Sequence, residues 1–217
     1  MSLTFVNGWI SSTGDDECES EAKCRDAQRL ETRQRVYEAA MAEFKRTGVA
    51  DADVGAIVTA AGVARGTFYF HFATKEHVLE EVERNLVTRL ATELGRFLES
   101  PHDVWSTLSE VVRLVVAGET RLGTRLFRDV LALHFSQTRP PGFGKATDHP
   151  LVALVAEDIA RARAQGVIHA EADAVNSALF FLLGVYSLLV TNHEPKVTRA
   201  RIINEFVAST RRGLEAR

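Results

Sequence analysis

From Thr32 to the end of the chain, apolar residues recur at the spacing of a helix, and no useful stretch alternates at the spacing of a strand. Val36, Ala39, Ala40 and Phe44 fall at i, i+3, i+4 and i+8, and Gly48 stands where a left-handed residue would close that helix. Asp51 or Asp53 can cap a second, short helix whose inward positions Val54, Ile57, Val58 and Ala61 repeat at i, i+3, i+4 and i+7. Gly62 breaks it. Ala64 to Phe70 gives about two further turns, with Val63, Phe68 and Phe72 able to hold them against the first two helices. Beyond Thr74, a good cap, a long amphipathic run places Val78, Leu79, Val82, Leu86, Leu90 and Leu94 on one face up to a stop at Pro101.

Further helices are expected from Val104 to Ala117 and from Gly123 to Ser136. Thr138 to Pro150, with three prolines and two glycines, reads as a long loop. Asp148 and Pro150 supply a cap and a first-turn proline for a helix reaching Gln165, and Gly166 ends it. Glu171 to Thr191 is the most apolar segment, and Pro195 opens a last helix running to Arg212. The fold class is all-α. Residues 1–28, acidic and poor in core formers, are expected to be a poorly ordered arm.

Composition narrows the function classes. A chain of 217 residues that is 46% hydrophobic and 25% charged has enough apolar material for a core without disulfides or metal. The two cysteines, Cys18 and Cys24, have no zinc-ligand spacing and read as reduced thiols. The longest apolar stretch, Ala178 to Val190, is shorter than the ~20 residues that span a bilayer, so it reads as a buried helix. With no secretory signal visible at the N-terminus, the expected compartment is the cytoplasm, with no membrane partner. A net charge of −3 argues against indiscriminate coating of nucleic acid and still allows a small basic reading surface. Enzyme readings find no Gly-rich phosphate loop, nucleophile elbow or paired-histidine zinc motif, and no cofactor or metal is expected.

The most informative stretch is Val54 to Phe72: helix, glycine-containing turn and short second helix. Such a helix-turn-helix can seat its second helix in the major groove of duplex DNA, whose width matches a helix. An αα-hairpin inside a bundle is the plain alternative. The second helix decides between them, because Arg65, Thr67, Tyr69 and His71 are polar donors on an element too short to justify itself by burial.

At these residues the chain resembles a known family. Ala60-Ala-Gly-Val-Ala-Arg-Gly-Thr-Phe-Tyr-Phe-His-Phe72, followed by Lys75-Glu76 and Leu79, is similar to the DNA-binding signature of the TetR family of transcriptional regulators. The resemblance is strong over residues 32–80, and beyond them only length and helical character match. Ala64 and Ala52 depart from the pattern, each lacking a hydroxyl that the family often carries. It implies a helix-turn-helix domain over 29–78 and a helical ligand-binding and dimerisation domain over 79–217.

Carried over residue by residue, Arg65 and Thr67 would face base edges, and Gly66 would let the backbone approach the groove. Tyr69 and His71 would touch phosphates, Phe70 would pack on a thymine methyl, and Lys75 would meet the backbone beside the free N–H groups of the next helix. Domain packing for Tyr69, a satisfied surface histidine for His71 and a solvated charge for Lys75 stay open.

The resemblance also implies a homodimer formed through the late helices, with Leu151, Leu154, Phe180, Leu183, Gly184 and Ser187 as candidate interface positions. A fully buried monomer helix is the alternative for the segment around Gly184. Candidate lining for a small-molecule pocket is Trp105, Leu108, Val112, Phe127, Leu131, Phe135, Val155 and Phe181, with Arg128 or His134 as polar anchors and a hydrophobic or aromatic effector. The function so implied is a repressor that occupies a near-palindromic operator and leaves when an effector binds. The alternatives are a helical ligand-binding module that no longer reads DNA, or an activator.

Overall fold

A computed structural model describes residues 13–134, 148–191 and 195–216, with side chains from residue 23 onward except those of His134 and Lys196. The described residues form nine helices: α1 Thr13–Thr47, α2 Val54–Ala61, α3 Arg65–His71, α4 Lys75–Leu98, α5 Val104–Leu122, α6 Thr124–His134, α7 Pro150–Ala164, α8 Ala174–Thr191 and α9 Lys196–Leu214. No strand is present among them beyond one isolated bridge between Ile168 and Glu215. The chain is all-α.

Two compact units emerge, one of Met1–Glu43 with Asp53–Ala73 and one of Phe44–Ala52 with Thr74–Arg217. In the smaller, Val36 and Ala40 of α1, Ile57, Val58 and Ala61 of α2, and Phe68 and Phe72 of the α3 region form the core. The Asp53 carboxylate caps α2 by accepting from the Gly55 N–H at 2.8 Å. Gly62, at φ 64, closes α2 in the left-handed region that a side chain disfavours and turns the chain into α3. Phe68 is fully buried, and its ring lies 6.1 Å from that of Phe72. Burial of this kind contributes about 1.5–3 kcal/mol per ring.

The larger unit is built on α4 and α5, with α7 packed on both and α8 packed on α7. Thr74 caps α4, accepting from the His77 N–H at 3.3 Å, and Asp103 caps α5, accepting from the Ser106 N–H at 2.7 Å. A buried ion pair joins α5 to α9, Arg199 donating to Glu119 at 2.8 Å. On length and composition α8 could cross a membrane, its 18 residues having mean hydropathy 1.8. It instead buries Ala178, Phe181, Leu182, Val185, Tyr186 and Leu189 inside the unit.

Several boundaries differ from the sequence reading. The helix expected from Thr32 begins at Thr13, so residues 13–28 continue α1 rather than forming a loose arm. The Asp-Asp-Glu run at 15–17 lies in its first turn or so, where carboxylates suit the helix dipole. Helix α5 runs on to Leu122 instead of stopping at Ala117, because Gly118 serves packing: a Cβ there would lie 3.0 Å from Leu86 Cδ1. The α7 cap is His149, without a side-chain cap bond, rather than Asp148. The division after residue 78 falls after Ala73, and residues 44–52 group with the larger unit, held there by Asp129 and Lys75.

Candidate nucleic-acid interface

Helix α3 has seven residues, and Phe68 is the one it buries. Arg65, Gly66, Tyr69 and Phe70 are exposed, while Thr67 and His71 are half-buried. Phe70 is 67% exposed, so α3 presents an apolar ring to solvent beside the exposed Tyr69. A Cβ at Gly66 would find nothing within 4 Å, so the backbone at the start of α3 is open to an approaching partner.

The exposed face is organised by cation–ring contacts. The Arg65 guanidinium carbon lies 6.0 Å from the Tyr69 ring centre, Arg29 of α1 lies 5.3 Å from that of Phe70, and Arg33 lies 4.5 Å from that of Phe72. Partial burial, followed by the positive charges of Arg29 and Arg33, lowers the His71 pKa from its ordinary 6.5. His71 is therefore a neutral hydrogen-bonding group at pH 7. Arg29 and Arg33 escaped the sequence reading, which began the first helix at Thr32 and gave neither residue a role. Their i, i+4 spacing with Arg25 was the available signal.

Lys75 differs from the expectation. Its ammonium donates to the carbonyls of Ala50 and Ala52 at 2.9 and 3.1 Å, tying the turn before α2 to the start of α4. An ammonium has three N–H groups, so one remains for an anion. The N–H groups expected free beside Lys75 are in part taken. Thr74 accepts from His77, and Glu76 is held below the usual carboxylate range by a hydrogen bond to its own backbone and by one from Thr74. Ala64 caps α3 without a side-chain bond, as the missing hydroxyl implied, and Ala52 is buried while Asp53 caps α2.

In the larger unit a cleft of about 410 Å³ opens between α6 and α8, lined by Arg128, Leu131, Ala132, Leu183, Tyr186, Ser187, Val190 and Thr191. Burial and the Glu83 charge push the Tyr186 hydroxyl far above its ordinary range, so it stays protonated. A second cleft of about 260 Å³ involves Phe180, Phe181, Phe206 and Thr210. Of the candidate pocket residues, Arg128 and Leu131 line the first cleft and Phe181 the second. Leu108, Phe127 and Val155 are fully buried core, and Trp105 and Val112 are half-buried. None of these five lines either cleft. The side chain of His134 and all of Phe135 lie outside the described residues.

Among the interface candidates, Phe180, Leu183 and Ser187 share an exposed face of α8, at 64% exposure for Phe180, and Leu154 is half-buried. Two further candidates have their neighbours within the chain. Leu151 is 1% exposed, its side chain packed inside the unit. Gly184 faces Phe206 of the same chain, 2.3 Å from where a Cβ would stand, so its small size serves α9 packing within the chain.

Comparison with known proteins bears on this surface. Residues 36–82 match the sequence model of the bacterial regulatory proteins of the tetR family. The uncharacterised HTH-type transcriptional regulator YvdT of Bacillus subtilis is 28% identical over 118 residues, covering 54% of this chain and 55% of that protein. A probable acrEF/envCD operon repressor of Escherichia coli is 39% identical over 61 residues, 28% of each chain. The chain thus spans about half the length, or less, of the curated relatives it matches. The solved structure of a TetR-family transcriptional regulator from Pectobacterium atrosepticum superposes with a TM-score of 0.66 at 23% identity, covering 88% of this chain and 97% of that one. The α2–α3 head thus lies inside a segment that matches the tetR-family sequence model, and the helices of the described residues follow the fold of a TetR-family transcriptional regulator.

Proposed function

We propose that the chain is a repressor that binds a near-palindromic DNA operator as a homodimer in the cytoplasm and is released by a small hydrophobic or aromatic effector, with no catalytic role. The observation that carries this reading is the outward face of α3, where Arg65, Gly66, Tyr69 and Phe70 are exposed on a helix that buries Phe68. Arg65 suits a bidentate contact to guanine, Thr67 a second base edge, Phe70 a thymine methyl, and Tyr69, His71 and the remaining Lys75 N–H suit phosphates. The operon-repressor relative supports the direction of control.

The exposed Phe180, Leu183 and Ser187 face of α8 supports a self-pairing surface that would hold two heads about 34–36 Å apart, or a multiple of it. The cleft between α6 and α8 shares Leu183 and Ser187 with that face; with its largely apolar lining, Arg128 at its edge and the size of many ligand sites, it supports an effector with an apolar body bound beside the pairing surface. Release then requires the effector to bind the DNA-incompetent arrangement more tightly than the competent one.

The test is selection of duplexes from a randomised library by the purified chain, followed by sedimentation of the complex. Enrichment of an inverted-repeat sequence bound by two chains supports the proposal. A chain that enriches no sequence and stays monomeric at micromolar concentration would be a ligand-binding helical module instead.

A further inference from the structure

In the smaller unit α1 carries one continuous stripe that changes character along its length. Ala40 and Val36 are fully buried, and the same face continues towards the N-terminus as Arg33, Arg29 and Arg25 at strict i, i+4 spacing. The change from apolar to basic comes where α1 passes the aromatic end of α3. Arg33 lies over Phe72 and Arg29 over the exposed Phe70, while Arg25 stands one turn further out with residues 23–30 all exposed.

Successive arginines stand about 6 Å apart along the helix axis; of the acids in the same turns, Glu31 falls more than about 100° around from both Arg25 and Arg29, while Asp26 falls about 100° from Arg25 and about 60° from Arg29. From 25 to 33 every i, i+4 position of this row is arginine, with Asp26 beside it and Glu21 one turn beyond, and a basic row of this kind pinned at one end to the α3 aromatics fits a row of phosphates. We infer that Arg25 and Arg29 form a second DNA-contacting element, a phosphate-binding ridge on α1 that runs on from the recognition helix and holds the duplex backbone beside it. Phe70 braces the ridge by fixing the Arg29 guanidinium over its ring.

Guanidinium groups suit this role because they present several N–H donors to phosphate oxygens and remain charged at any physiological pH. Phosphate contacts carry no sequence information, so the ridge raises affinity for all duplexes and leaves discrimination to α3. A merely structural Arg29, shielding Phe70 from water, would leave salt dependence untouched. The lowered His71 pKa agrees with a concentration of positive charge at this end of α3.

The inference rests on the proposed DNA-binding function, and the experiment separates the two. The full chain and the variants Arg25→Ala, Arg29→Ala and the double variant are titrated against the duplex enriched by the wild type and against a scrambled duplex, over a series of salt concentrations. The ridge requires the double variant to lose on the order of tenfold in affinity for both duplexes alike, with the log–log salt slope falling by about two per bound subunit. Arg25 touches no aromatic ring among the described contacts, so Arg25→Ala alone must lower the slope by about one even if Arg29→Ala disturbs Phe70. Wild-type binding with slopes unchanged in the variants overturns the ridge and leaves the proposed function standing. A wild type that binds neither duplex overturns both.

Discussion

The Val49 N–H donates to the Asp129 carboxylate at 2.9 Å, so a side chain on α6 holds the turn that leads from α1 to the Asp53 cap of α2. Arg125, one turn earlier on α6, adds a 3.4 Å bond to the Arg46 carbonyl and packs its stem 3.1 Å from where a Cβ of Gly48 would be. The helix that contributes Arg128 and Leu131 to the larger cleft therefore also grips the segment running into the helix-turn-helix. Asp129→Ala should leave the Val49 amide without its acceptor, speed its hydrogen exchange well beyond that of neighbouring amides, and cost about 1–3 kcal/mol in urea unfolding. Unchanged Val49 exchange would show that Asp129 does not hold the turn.

Gly184 and Phe206 make a second prediction. A Cβ at Gly184 would stand 2.3 Å from Phe206 Cζ, and the ring has little room to retreat because it stacks on Phe181 at 5.6 Å with 15° between planes. Gly184→Ala should cost ~1–3 kcal/mol by overpacking, and Phe206→Leu in the same chain should recover part of it. Calorimetry on the two single variants and the double variant gives the coupling. Strictly additive effects would mean that the two sites do not meet.

These two contacts also show where the sequence was legible. The apolar periodicity of Val54, Ile57, Val58 and Ala61, the turn at Gly62 and the polar donors after it located the helix-turn-helix, because each is a local signal within one or two helical turns. What Gly184 is for depends on Phe206, twenty-two residues on, and what fixes Val49 comes from Asp129, eighty residues away; no periodicity carries such a pairing. Arg29 and Arg33 are an intermediate case. Their spacing was visible, yet the acidic residues before them suggested an arm, and the aromatic rings they cover are on α3. The pocket candidates were drawn from helical stripes, and such stripes hold core residues such as Leu108 and Val155 as readily as cleft residues such as Leu131.

His71 supplies a pH prediction. Its folded pKa is lowered by partial burial and then by Arg29 and Arg33, so the folded chain disfavours the charged imidazole that the unfolded chain accepts near pH 6.5. The stability associated with neutral His71 is therefore present above about pH 6.5 and lost as pH falls through the lowered folded value. In Arg29→Ala one of the three causes is gone, and the His71 pKa should move upward while staying below the ordinary value because burial persists. A titration of the His71 ring proton by NMR reads the shift directly, and an identical pKa in wild type and variant would show that the Arg29 charge does not reach the ring.

Arg65 gives the most direct test of the proposal that α3 reads sequence. Its guanidinium sits 6.0 Å from the Tyr69 ring, which limits the directions the side chain can take and favours one presented geometry. Arg65→Ala should cost about 1–3 kcal/mol at the enriched operator and much less at a scrambled duplex, narrowing the gap between them. Arg65→Lys separates charge from geometry: an ammonium keeps the positive charge but lacks the planar fork that pairs with two acceptors on one guanine. The lysine variant should therefore keep nearly wild-type affinity for scrambled DNA and a nearly wild-type salt slope, while losing most of the discrimination that alanine loses. Tyr69→Ala, which frees the guanidinium without removing it, should fall between wild type and Arg65→Ala in discrimination. If lysine restores full preference for the operator, Arg65 acts as a phosphate contact and the base-reading role passes to Thr67 and its neighbours on α3.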